Sequence, residues 1–144
     1  MTAPDLAHFI EAQNVVQDSV TTELASGHKR THWMWFIFPQ LAGLGFSPMA
    51  QRYAIRDLHQ ARRYLADPVL GPRLREATGL VLRHKGIPIR QILGSPDDMK
   101  FRSCVTLFDQ AATDTTDRAL FKQALEAFFG GEPDSRTLDL LNAH

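Results

Sequence analysis

The chain has 144 residues, 44% of them hydrophobic and 22% charged, and its sixteen Lys and Arg balance its sixteen Asp and Glu. A chain of this length buries roughly two thirds of its unfolded surface and needs no staples, and the composition excludes an intrinsically disordered protein. Zero net charge argues against a general nucleic-acid binder, because such proteins draw affinity from a basic surface that neutralises phosphates, although a local basic patch stays open.

In chain order, Leu6, Phe9, Ile10, Val16, Val20 and Leu24 recur at helix-like intervals ahead of Gly27, which predicts one long or two short helices with a glycine stop. Next comes "THWMWFIFPQ", residues 31–40, with six bulky apolar side chains in succession; it reads as a helix apolar all round. Ser47 is expected as an N-cap with Pro48 at the first helical position, and Leu58, Ala61 and Leu65 mark a further amphipathic turn or two. "DPVLGP" is loop-like, although Pro68 could open a helix whose stripe is Leu70, Leu74, Ala77 and Val81 and whose stop is "HKG". "IRQIL" is a short helix at most. A second start signal follows, with Ser95 as N-cap, Pro96 next, and Asp98 at the capping-box place; its apolar face is Phe101, Cys104, Val105, Phe108 and Ala112. The last long helix carries Leu120, Phe121, Ala124, Leu125 and Phe128 and stops at Gly130-Gly131, and "DSRTLDLL" can form a short terminal helix. Nothing alternates as a half-buried strand would, so the expected fold is all-α: a compact single domain over residues 1–144 of about six to eight helices.

Cys104 is the only cysteine, so no disulfide forms within the chain and nothing points to an oxidising compartment. The opening "MTAPDLAHFIEAQ" lacks the basic and apolar regions of a signal peptide, and the run from Trp33 to Phe38 is far short of the roughly 20 residues that span a bilayer. A cytoplasmic protein without membrane contact, monomeric or a small homo-oligomer, is therefore expected.

Two stretches can carry chemistry. The two tryptophans of the chain, Trp33 and Trp35, each bring an indole N–H that needs a partner when buried, with His32 and Gln40 flanking them. The stretch is either plain core or the wall of a pocket; of the two rings, Trp33 is expected in the deep core and Trp35 at the pocket, on the His32 side. "LAGLGFSPMAQRY" is either a plain turn or an anion seat, in which Gly45 and Ser47 offer backbone N–H groups at a helix start, Arg52 closes over them, and Tyr53 follows. Its spacing is neither a dinucleotide fingerprint nor a phosphate loop. "SPDDMK" resembles a nuclease signature only superficially, since the acids are contiguous and carry helix-start chemistry; Lys100 and Arg102 are left as basic groups, Arg102 in reach of Asp98 one turn earlier. His28 and His32 are four apart but have no nearby acid or thiol to complete a metal shell, so neither metal nor cofactor is expected. Cys104 suits an inert buried thiol.

With "HWMWFIFPQLAGLG", "YAI", "DPVLGPRL", "PDDMKF" and "RTLDLL" in view, the chain resembles, over nearly all its length, a widespread microbial family numbered 1810 in the domain-of-unknown-function series. The resemblance implies a compact, mainly helical domain and no reaction. A calpastatin label attached to some members does not suit this chain, because calpastatin-type inhibitors are disordered. Where a tyrosine is expected in the family's first helical region, this chain has Val16 and Gln17, and no ligand role attaches there.

The functional expectation is a small-molecule-binding domain, with enzymatic activity left open, for an anionic, nucleotide-like ligand. Its candidate residues are His32 and Trp35 as a stacking wall, Gln40 as amide reader, Gly45 and Ser47 as anion seat, Arg52 and Lys100 as charges, and Tyr53 beside them. Catalytic residues are unassigned, because His32 has no nucleophile or carboxylate pair to work with. The rival is a non-catalytic protein-interaction or assembly module, which an exposed aromatic patch would favour.

Overall fold

The structure, a computed structural model, describes residues 3–143. Nine helices follow one another among them: α1 (Ala7–Ser26), α2 (Met34–Ile37), α3 (Pro48–Arg52), α4 (Leu58–Ala66), α5 (Leu70–Leu82), α6 (Ile89–Leu93), α7 (Asp97–Ala111), α8 (Thr115–Phe129) and α9 (Ser135–Asn142). The fold is all-α as expected, and the count exceeds six to eight because α2 and α3 stand alone as single turns. An isolated parallel bridge joins Leu41 to Ile55.

Helix α7 is the hub. Ser103 to Asp109 are buried without a break, since α4, α6, α8 and α9 all pack against this helix. A helix covered on every side has no solvent for its hydroxyls, and two of them turn back on its own backbone: Ser103 Oγ donates to Met99 O at 3.2 Å and Thr106 Oγ1 to Arg102 O at 2.8 Å. The apolar stripe of Phe101, Cys104, Val105 and Phe108 is fully buried, as its periodicity predicts, and burial pushes the Cys104 thiol pKa up, which keeps it inert.

Several local signals act as expected. Gly27 ends α1 at φ 75°, a left-handed conformation that suits glycine. The Ser47 side chain caps α3 by accepting the Ala50 N–H at 3.1 Å. The start of α7 differs, because Ser95 is not its cap: backbone carbonyls serve its first turn instead, Asp98 N–H donating to Gly94 O at 2.8 Å and Lys100 N–H to Pro96 O at 3.2 Å. Arg102 does not pair with Asp98 either; its Nε donates to Glu132 O at 3.0 Å, because the chain after α8 returns beside it.

"THWMWFIFPQ" is core, yet not the long all-apolar helix its hydrophobicity suggests. Only Met34–Ile37 are helical. Pro39 disfavours a helical Phe38 at one end, and at the other the backbone before Met34 is held by a carboxylate on α1. That carboxylate is Glu23, itself buried: it accepts from Arg30 N–H at 2.6 Å, Thr31 N–H at 2.9 Å, Thr31 Oγ1–H at 2.7 Å and Trp33 Nε1–H at 3.2 Å. The indole N–H of Trp33 thus has a charged acceptor, and its ring is wholly buried, whereas Trp35 is only half-buried.

Two predictions follow from this anchoring. Trp33→Ala should lower the unfolding free energy by about 3–5 kcal/mol in urea titrations and Trp35→Ala by clearly less, since only Trp33 leaves a closed cavity; equal losses would contradict the placement. Burial raises the Glu23 pKa, but its hydrogen bonds outweigh that and hold it at about 2, below the ordinary 4.5. Its contribution is therefore complete above about pH 4.5 and is lost as pH falls through about 2. Asp5, held at about 2 by Arg63, acts in the same window. Glu23→Gln should be less stable at neutral pH and lose less on acidification than the parent; an unchanged acid limb in pH-dependent denaturation would contradict this.

Candidate functional site

A cleft of about 450 Å³ opens between the loop that precedes α3, the first turns of α7 and the start of α9. Its first wall is placed by the Leu41–Ile55 bridge, in which Ile55 N–H donates to Gln40 O at 2.8 Å and Ala42 N–H to Ile55 O at 2.7 Å. Those bonds fix the backbone of Gln40, which lines the cleft. The chain then turns tightly onto α3, so that a Cβ placed on Gly45 would lie 2.6 Å from the Ala50 methyl. Gln51 Nε2 donates to Phe46 O at 2.8 Å, and with the Ser47 cap this pins residues 45–47 to α3. The Phe46 side chain is left 75% exposed.

The opposite walls come from α7 and α9. Lys100 and Met99 sit early on α7 with Ser103 below them. The Lys100 ammonium lies 3.7 Å from an Asp97 carboxylate oxygen and 5.5 Å from the centre of the Trp35 ring, so Trp35 stands behind Lys100 with that cation over its ring. Asp134 and Arg136 bring the start of α9 to the rim. Asp134 is engaged as the cap, accepting from Thr137 N–H at 3.0 Å and Thr137 Oγ1–H at 2.6 Å, while its own N–H donates to Thr106 Oγ1 at 2.9 Å and ties α9 to α7. Arg136 is exposed and makes no hydrogen bond or ion pair with any of the described residues.

Of the residues singled out from the sequence, Gln40, Gly45, Ser47 and Lys100 line this cleft and Trp35 backs it. The other three lie elsewhere. His32 is exposed on the loop between α1 and α2, not on a helical face shared with Trp35, because α2 starts only at Met34. Tyr53 is a core residue whose ring packs against Phe9 and Phe36 and stacks on His8. Arg52 does not close over the start of α3: five positions beyond Ser47 it has turned about 140° around the helix, and its guanidinium lies over the Tyr53 ring at 5.6 Å, on the His8 side. Among the lining residues that were not site candidates from the sequence are Phe46, Met99, Ser103, Asp134 and Arg136. Phe46 stood inside the glycine loop and could have been marked as a large apolar side chain in a turn; Arg136 carries no local signal at all.

Chemically the cleft offers two cations, an amide, hydroxyls and an open ring. Asp134 is the carboxylate among its lining residues, and it is engaged as the cap of α9.

Residues 3–141 match a family model described as "Protein of unknown function (DUF1810)". No curated protein matches the chain. Among solved structures it is similar to the conserved hypothetical protein Rv1873 from Mycobacterium tuberculosis, 49% identical, with 96% of each chain covered and a TM-score of 0.91.

The tight turn under the cleft makes a prediction of its own. Gly45→Ala should destabilise the protein by about 1–3 kcal/mol in thermal or chemical unfolding, because methyl groups cannot approach to that distance. Adding Ala50→Gly should recover part of the loss by removing the clashing methyl; a double variant less stable than either single one would mean the loop and α3 are not packed this way.

Proposed function

Because the chain belongs to the DUF1810 family, whose members are proteins of unknown function, we propose its role from the cleft: a binding domain for a small anionic molecule. One observation carries the proposal. Arg136, without a partner among the described residues, and Lys100, held only loosely by Asp97, line one cleft from two different helices. Its volume of about 450 Å³ falls in the range of roughly 300–1,000 Å³ typical of small-molecule pockets. Arg136 has a planar fork suited to phosphate or carboxylate, and Lys100 supplies a point charge. Support for a nucleotide-like ligand does not come from His32 or Trp35, since the first lies outside the cleft and the second is covered by Lys100.

The rival class, a protein-interaction module, is favoured by a specific feature: Phe46 and Met99, which line the cleft, are 75% and 46% exposed. The two readings diverge in unfolding experiments. An anion at about 100 times its dissociation constant should stabilise the wild type by roughly 2.7 kcal/mol. Melting curves with pyrophosphate or citrate are expected to rise for the wild type and for Arg52→Ala, whose side chain is outside the cleft, and to stay flat for Lys100→Ala/Arg136→Ala. Equal protection of all three proteins, or of none, would reject the cleft as an anion site.

A further inference from the structure

We infer that Phe46 is the stacking platform of this cleft, so that its ligand joins a flat aromatic ring to the anionic group, as a nucleoside monophosphate does. The inference rests on the anion-binding reading above and adds the ring. Among the aromatic side chains near the cleft, Phe46 is the one whose face is open. Trp35 has the Lys100 ammonium over its ring, and Tyr53 is buried between Phe9, Phe36 and His8.

Exposure alone would mean little, for single exposed apolar residues are ordinary; Val15 on α1 is more exposed still, at 85%. Phe46 differs in how it is held and in what stands around it. Three local constraints fix its backbone: Gly45 closes against Ala50 where no side chain fits, Gln51 holds the Phe46 carbonyl, and Ser47 caps the next turn. With its backbone already held, Phe46 has only its two side-chain torsions to order when a ligand stacks on the ring. Met99, which also lines the cleft and is 46% exposed, offers a soft thioether surface of the kind that packs well on aromatic edges. Lys100 and Arg136 line the same cleft and supply the charge complement for a phosphate, and Gln40 supplies an amide for the edge of a base. The cavity volume fits one such molecule.

The experiment titrates inorganic phosphate and the four monophosphates AMP, GMP, CMP and UMP into the full chain by calorimetry, for the wild type, Phe46→Ala, Phe46→Trp and Lys100→Ala/Arg136→Ala. At least one nucleotide is expected to bind the wild type on the order of tenfold or more tighter than inorganic phosphate, as the stacking of a base on an aromatic side chain provides. Phe46→Ala should remove that margin while leaving the phosphate affinity unchanged, and Phe46→Trp should restore it. Phe46 sits on the surface, so circular dichroism of the variants should match the wild type. If phosphate binding depends on Lys100 and Arg136 but no nucleotide exceeds it, or if Phe46→Ala leaves the margin intact, the stacking inference is overturned and the anion site stands. If neither phosphate nor any nucleotide binds, both fall.

Discussion

The arrangement of this protein depends on one buried carboxylate. Glu23 sits in the last turn of α1, where the helix dipole disfavours a negative charge and burial adds a desolvation cost. Four donors from Arg30, Thr31 and Trp33 offset this, and all of them lie on the chain that follows. A carboxylate inside its own loop in this way acts as a template. Residues 28–33 have no regular structure to hold them, and they are shaped by being folded around an anion that belongs to the protein. Lys29 closes the arrangement from outside: its ammonium bonds to Thr31 O at 2.6 Å and Asp97 at 2.9 Å and lies over the Trp33 ring, which ties the loop to the start of α7.

Once Trp33 is seated, the rest of the aromatic stretch has little freedom. Gln13, buried on α1, donates to Phe36 O at 2.8 Å and to the Tyr64 hydroxyl at 3.1 Å, so a single amide reads both the short α2 and helix α4. Phe38 then meets Phe101 of α7 edge-on, at 5.0 Å between ring centres. Pro39 ends the helical turn before it, and the backbone of Gln40 and Ala42 is satisfied by the two bonds to Ile55. Those bonds deliver Gln40 to the cleft. The line from Glu23 to Gln40 is continuous, each step placing a side chain that makes the next step possible.

The cleft itself lies at the edge of this packed framework. Its charged walls are carried by two helices that are stiff for different reasons: α7 because its middle, Ser103 to Asp109, is covered on every side, and α9 because Thr106 and Asp134 stitch its first turn to α7. Phe46 is carried by a loop, where the absence of a side chain at Gly45 allows close packing onto α3. A rigid scaffold presenting a few exposed groups from loops and helix starts is the usual physical form of a binding site. The same scaffold explains why Arg52, so well placed along the chain, plays no part at the cleft: rotation around α3 carries its guanidinium to the opposite side, where Tyr53 receives it.

What the sequence determined by itself was set within a turn or two of a residue. The Ser47 cap, the Gly27 and Gly130 stops, and the buried stripes of α5 and α7 all follow from side chains acting on their own backbone or from helical period. Half of the candidate site was legible for the same reason, since Gln40, Gly45 and Ser47 lie within eight positions on one connected turn and Lys100 stands at a recognisable helix start. Tertiary structure decided the remainder. Whether Arg102 meets Asp98 or the Glu132 carbonyl, and whether Arg136 reaches the cleft that Lys100 lines, depend on how helices distant in sequence cross. Those crossings are set by summed packing over the whole core, and no local pattern of capping or period encodes which side chains they bring together.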